Sequence, residues 1–227
     1  MQNKHELVFV YHHLGLGDHF VCNGLVRHIL SVLSPLRLYL PTKQHNMTTV
    51  SSMYCDDRRV VCLPVKTDSD VPVLPELRLQ PAIFQVGFSK CRDDWDVSFY
   101  DSVGISFDVR WSDFKINRNR EAEETLQKSL GLNDGTPYIV VHDIGSIGEF
   151  PLRIPTDTKV VRIEKKTANL LDWCGVMENA QEVHCVDSSV VHLAQCLEIK
   201  HGVFHNIRTQ STLFKLKEGW ETIDYAS

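Results

Sequence analysis

Residues 6–30 read ELVFVYHHLGLGDHFVCNGLVRHIL. Leu7, Val8, Phe9 and Val10 form a short apolar run that stops at His12-His13-Leu14-Gly15-Leu16-Gly17-Asp18. Beyond it Phe20, Val21, Leu25, Ile29 and Leu30 recur near the i, i+3/i+4 spacing of one helix face. The stretch predicts a buried strand, a glycine-bearing turn and an amphipathic helix. Open α/β sheets bind ligands outside the carboxyl ends of their strands, where such turns lie. This turn carries two histidines and a carboxylate, with the amide of Asn23 about one helical turn on. It predicts half of an active site.

Outward from that stretch, strands and helices alternate. Leu36–Leu40, Val60–Val65 and Ala82–Val86 are strand candidates, with helices expected over His45–Tyr54 and Arg92–Gly104. Residues 66–81 are polar and proline-rich and predict a loop. Residues 109–119 show no regular period. Glu121–Leu130 predicts a helix with an acidic first turn and Gly131 as its C-cap. The alternation restarts with strands at Tyr138–Val141, Lys159–Ile163, Glu182–Val186 and Gly202–His205. Helices are expected from Thr167, as cap, to about Asn179, and over Ser188–Cys196. A pattern that pauses near residue 115 and resumes near 137 predicts an α/β protein of two lobes, 1–115 and 116–227, each with a parallel sheet facing a central cleft.

The bulk composition narrows the class. The 227 residues are 43% hydrophobic and 23% charged, as in ordinary soluble proteins. A net charge of −5 and the absence of a Lys/Arg block argue against nucleic acid or more than peripheral membrane contact. No apolar run reaches the roughly 18 residues of a transmembrane helix, and MQNKHE enters a strand without a signal segment. Seven scattered cysteines without a CxxC predict reduced thiols in the cytoplasm.

The second half supplies a matching motif. Glu182–Val186 runs into Asp187-Ser188-Ser189-Val190-Val191-His192. Ser188 or Ser189 is expected to cap the following helix, and its start suits a phosphate. His192 lies near the end of the first turn, either facing the cleft or within the core. A third turn, His142-Asp143-Ile144-Gly145-Ser146-Ile147-Gly148, precedes Arg153, whose guanidinium suits phosphate oxygens.

VDSSVVHLAQCL resembles the VDTGxxHLAxAL element of heptosyltransferase-like GT-B glycosyltransferases, and LGLGDHFVCNGLVRHI resembles their N-terminal Gly-Asp turn and helix. The resemblance implies two Rossmann-like lobes, an acceptor-side lobe at 1–115 and a nucleotide-sugar lobe at 116–227. It implies Asp18 as catalytic base and Asp187, Ser188, Ser189 and His192 at the donor. The family's Thr-Gly is Ser188-Ser189 here, and its donor lysine has Arg153, Lys165 and Lys166 as competitors.

The chemistry agrees with that implication. Transfer from a nucleotide diphosphate sugar requires a base for the acceptor hydroxyl and charge neutralisation for the departing diphosphate. Asp18 at a helix start serves either as such a base or as an N-cap. Gly15, Gly17, Ser146, Arg153 and Glu164 complete the expected donor side; His12, His13, Asn23 and Arg27 form the expected acceptor side. Glu164 stands just past a strand end, where a solvated charge is the alternative. Gly15-x-Gly17 lacks the third glycine of the dinucleotide fingerprint. Asp68-Ser69-Asp70 has the spacing of a metal clamp but lies in the proline-rich loop, and His12, His13 and His19 lack a completing ligand. The expectation is therefore an inverting, metal-independent glycosyltransferase without a cofactor, taking a nucleotide-sugar donor and a glycan or glycoconjugate acceptor. A non-catalytic nucleotide- or glycan-binding module is the alternative.

Overall fold

A computed structural model describes residues 6–145, 148–154, 157–207 and 214–225. The chain divides into two compact units, residues 1–117 with 212–215, and residues 118–211 with 216–227.

In the first unit, β1 (Leu7–Tyr11), α1 (Leu16–Val21), α2 (Asn23–Leu33), β2 (Arg37–Lys43), α3 (Met47–Tyr54), β3 (Val60–Val65), β4 (Ala82–Gln85), α4 (Trp95–Asp101) and α5 (Val109–Ser112) follow in order. The strands form a parallel sheet in the order β3-β2-β1-β4. β1 is central, and Val8, Phe9 and Val10 are buried on both faces, which explains its unbroken apolar run. Phe20, Val21, Leu25, Val26, Ile29 and Leu30 bury the inner side of α1 and α2.

The single helix expected after the first turn is two. Cys22 breaks it at φ −84°, ψ 0°, beside the carbonyl of Val21, which accepts the hydroxyl of Tyr100 at 2.7 Å. Gly24 is required by packing: a Cβ there would stand 2.3 Å from the Val109 carbonyl oxygen and 2.9 Å from Arg110 Cα. The expected loop over 66–81 contains two 3₁₀ helices, Asp68–Val73 and Pro75–Leu79. Val71 is its buried anchor. Arg110 and Asp96, both fully buried, form an ion pair, and Asp96 also accepts the backbone N–H of Lys215 at 3.0 Å.

The second unit contains α6 (Arg120–Ser129), β5 (Tyr138–His142), β6 (Ile144–Gly145), β7 (Gly148–Glu149), β8 (Lys159–Arg162), α7 (Cys174–Asn179), β9 (Glu182–Cys185), α8 (Ser189–Ala194), β10 (Gly202–Asn206) and β11 (Glu221–Asp224). Its parallel sheet has the order β11-β10-β9-β5-β8, and β6 and β7 make a small hairpin. Arg118 ties α6 to α7, placing one guanidinium between the carboxylates of Glu123 and Glu178 at 2.6–2.7 Å. The helix expected from Thr167 begins later. Asn169 caps a 3₁₀ turn at Leu170–Trp173 by accepting the N–H of Leu171, and α7 follows. The Thr167 hydroxyl instead donates to the Asn169 carbonyl.

Both sheets thus have the two-sided, parallel α/β architecture expected from the alternation. Among the described residues no helix is long and apolar enough to cross a membrane. All seven cysteines are free.

Candidate active site

The strand orders single out one position in each sheet. From β1 the chain proceeds through β2 to β3 on one side and then places β4 on the other, so the first switch point lies between β1 and β4. From β5 it places β8 on one side and β9, β10 and β11 on the other, so the second lies between β5 and β9. Crevices at the carboxyl ends of such strand pairs are where open α/β sheets hold ligands.

At the first switch point stands the turn 12–18. Gly15 is the N-cap of α1, and its N–H donates to Asp18 Oδ2 at 3.0 Å. A Cβ on Gly15 would lie 2.6 Å from that oxygen, so the glycine makes room for the carboxylate. Asp18, Gly15 and Gly17 are each partly exposed. The turn is tied down from three sides: Leu14 N–H donates to Asp68 Oδ1 at 3.3 Å, Asn46 Nδ2 donates to the Leu14 carbonyl at 3.3 Å, and Phe88 N–H donates to His13 Nε2 at 3.2 Å. This last bond joins the ends of β1 and β4. Phe88 holds φ at +56°, rare for a side-chain-bearing residue, and its ring stacks on His13 at 4.4 Å. Asp68 also pairs with Lys43 at 2.7 Å, and these contacts hold its carboxyl below the usual range despite burial. None of these supports was legible in the sequence, because each comes from a different strand end.

The remaining residues expected at the acceptor are more deeply set. His12 and His19 are fully buried, edge to face at 4.5 Å, and His12 Nδ1 donates to the His13 carbonyl at 2.6 Å. Burial pushes His12 down to about 4 and His19 well below its ordinary value, so both rings are neutral. His13 is half-buried and is lowered by the same cause. Asn23 is fully buried and accepts the Lys115 N–H at 2.8 Å. Arg27 donates to both oxygens of Asp56 and to the carbonyls of Met53 and Lys115.

At the second switch point, the Ser188 hydroxyl and His142 Nδ1 lie 3.0 Å apart, bridging the ends of β9 and β5. Ser188 occupies the N-cap position of α8 in extended backbone, but its hydroxyl makes no cap bond and turns to His142 instead. Burial lowers His142 to about 4, against the pull of Asp143. Asp187 and Ser189 flank it, partly exposed; His192 is buried with Nε2 3.9 Å from Asp187 Oδ1. A Cβ on Gly145 would meet the Asp187 carbonyl oxygen at 3.4 Å and the Phe150 ring at 3.3 Å, so this turn lies directly on the β9 end. Ser146 lies outside the described residues. Arg153 is exposed, with its guanidinium over the Tyr225 ring at 4.9 Å. Glu164 is exposed, 3.7 Å from Lys166. Lys166 in turn lines a cavity of about 510 Å³ with Thr125, Thr167 and Asp172.

Sequence comparison finds no matching family profile and no matching curated protein. Solved structures do match. The chain is similar to the glycosyl transferase family 9 from Veillonella parvula, with TM-score 0.67 and 11% identity over 100% of this chain and 89% of that one. It is similar to the E. coli ADP-heptose LPS heptosyltransferase II, with TM-score 0.60 and 11% identity over 96% and 90%. It is also similar to the E. coli heptosyltransferase WaaC with ADP, with TM-score 0.53 and 10% identity over 97% and 91%. At such identities the likeness establishes architecture: the chain has the α/β GT-B fold of these glycosyltransferases, with two parallel sheets.

Proposed function

We propose that this protein is a glycosyltransferase. It moves a sugar from a nucleoside diphosphate sugar to an acceptor hydroxyl, with inversion and without a metal ion. The reading rests on one observation: each unit's switch point carries one of the two polar turns, Asp18 in the first and Ser188 beside Asp187 in the second. Two of the solved structures with this fold are an ADP-heptose LPS heptosyltransferase and a heptosyltransferase with ADP, which supports a nucleotide diphosphate sugar as donor.

In this reading residues 1–115 serve the acceptor and 116–227 the donor. Asp18 takes the acceptor proton as the acceptor oxygen bonds to the anomeric carbon. The bond from that carbon to the diphosphate breaks, and the electron pair leaves with the phosphate oxygen. The Gly15 N–H holds the carboxylate in place through Oδ2. His13 flanks the acceptor; His12, Asn23 and Arg27 hold the turn and α2 behind it. Ser188, Ser189, Asp187 and His192 receive the donor, Gly17 and Gly145 permit close approach, and Ser146, Glu164 and Arg153 complete its contacts, with Arg153 neutralising the leaving diphosphate. A well-placed donor to developing charge is worth about 2.7–4 kcal/mol. Metal independence is supported by the acidic pair of the 66–81 segment: Asp68 pairs with Lys43, and Asp70 accepts the N–H groups of Lys66 and Thr67. The seven free thiols fit a cytoplasmic setting.

The test is a thermal-shift screen of nucleoside diphosphates and their sugars, followed by mass spectrometry for slow donor hydrolysis. Stabilisation by one diphosphate series together with hydrolysis supports transfer. Binding without hydrolysis or transfer leaves a non-catalytic nucleotide-binding module, and no shift with any member contradicts the reading.

A further inference from the structure

A buried polar chain crosses one face of the second sheet. His184 pairs in register with Val203 and His205 with Ile223, so Glu182, His184, His205 and Tyr225 project to the same side. Their side chains are linked end to end. Glu182 Oε2 lies 2.8 Å from His184 Nε2, His184 Nδ1 lies 2.9 Å from His205 Nε2, and His205 Nδ1 lies 2.9 Å from the Tyr225 hydroxyl. The Tyr225 oxygen then accepts the backbone N–H of Arg153 at 2.7 Å. Both imidazoles are buried, and Glu182 reaches solvent at the amino end of β9.

The protons along this chain run one way. A carboxylate only accepts, so His184 Nε2–H donates to Glu182. When each ring carries a single proton, His184 Nδ1 accepts from His205 Nε2–H, and His205 Nδ1 accepts from the Tyr225 O–H. The tyrosine oxygen is left with its lone pairs for the Arg153 N–H. Burial lowers His205 to about 4, which keeps its ring neutral.

Arg153 belongs to a strap across the carboxyl edge of the sheet. One end is pinned where Phe150 N–H donates to the Asp143 carbonyl at 2.9 Å, just past β5; the other is pinned at Tyr225, just past β11. The guanidinium has no hydrogen-bond acceptor among the described residues and rests on the Tyr225 ring. Stacking restrains it with its N–H fork suited to a bidentate oxyanion such as phosphate.

We propose that Tyr225 is the positioning residue for Arg153, and that the His184–His205 pair holds its hydroxyl so that the guanidinium is set to bind the diphosphate of the donor. This rests on the donor assignment above. The experiment uses the full-length protein titrated calorimetrically with ADP, GDP, UDP and CDP, and compares the tightest of the four across variants. Tyr225→Phe keeps the ring and removes the hydroxyl. It is expected to weaken that nucleotide about tenfold, to speed hydrogen exchange at the Arg153 amide, and to lower the unfolding midpoint because the buried His205 Nδ1 loses its partner. Arg153→Ala is expected to weaken it at least as much, and the double variant no more than Arg153→Ala alone. His205→Asn, which breaks the chain behind Tyr225, gives the same pattern should Tyr225→Phe fold poorly. Unchanged affinity and unchanged Arg153 exchange in both Tyr225→Phe and His205→Asn overturn the positioning role. Additive losses in the double variant overturn it as well. If none of the four nucleotides binds the wild type, the donor assignment itself is overturned, and the positioning of Arg153 for a diphosphate falls with it.

Discussion

The hydroxyl of Ser188 and Nδ1 of His142, 46 residues apart in sequence, stand 3.0 Å apart and join the carboxyl ends of β9 and β5. With the Val186 N–H, which donates to the His142 carbonyl at 3.1 Å, this contact ties the two strand ends together at the second switch point. Removing the hydroxyl with Ser188→Ala leaves a largely buried ring nitrogen without its partner, at a cost of about 1–3 kcal/mol. His142→Phe in the same background removes the stranded nitrogen and recovers part of the loss. Urea unfolding of the two single variants and the double variant measures the coupling.

Acid should weaken the fold before its carboxylates titrate. His12, His142 and His205 are each lowered from 6.5 to about 4, chiefly by burial. Between those values the unfolded chain binds protons that the folded chain does not, so stability is full above 6.5 and falls as pH drops toward 4. The limiting slope is about 1.4 kcal/mol per pH unit for each ring. Urea midpoints taken from about pH 7.5 down to about pH 5 are expected to decline, and replacing one of these histidines by an uncharged side chain is expected to flatten the decline.

The buried pair of Asp96 and Arg110 holds α4 to α5, and Asp96 also receives the Lys215 N–H. Arg110→Met strands a carboxylate in the core and is expected to cost about 3–5 kcal/mol. Asp96→Asn added to it relieves the uncompensated charge. Denaturation midpoints of the single and double variants decide the matter; equal midpoints would mean that the pair is not coupled.

Gly15 separates stability from activity. Its φ of −68° suits alanine, but a Cβ would fall 2.6 Å from Asp18 Oδ2. Gly15→Ala should leave unfolding within about 1 kcal/mol of wild type while turning the carboxylate away. Turnover is expected to fall by at least about tenfold.

How much of this was legible in the sequence depends on range. The strands β1 and β9 and the polar turns after them were readable because apolar run, glycine and cap residue sit within a dozen positions. The break at Cys22 was not, since Tyr100, which engages the Val21 carbonyl, lies 79 residues away. β11 was missed because Glu221–Asp224 is an edge strand with little buried surface and therefore no apolar run. Glu182, His184 and His205 fall within strands that the sequence predicts, but only the register shows that they share a face. Arg27 shares a helix face with Asn23 by spacing, which left a cleft lining and a solvated stripe both open; its contacts with Asp56 and the Met53 carbonyl are set by the end of α3. The alternation of histidine and acid within β9 was the one local sign of the buried chain.

The central claim is that the carboxylate of Asp18 takes the acceptor proton. Its most direct test is the transfer rate of Asp18→Asn under single-turnover conditions with saturating donor and acceptor. Asparagine keeps the size of the side chain and an oxygen for the Gly15 N–H. A rate lower by about 10²–10⁴-fold, with donor affinity retained, is the predicted result. Transfer at the wild-type rate would contradict the account.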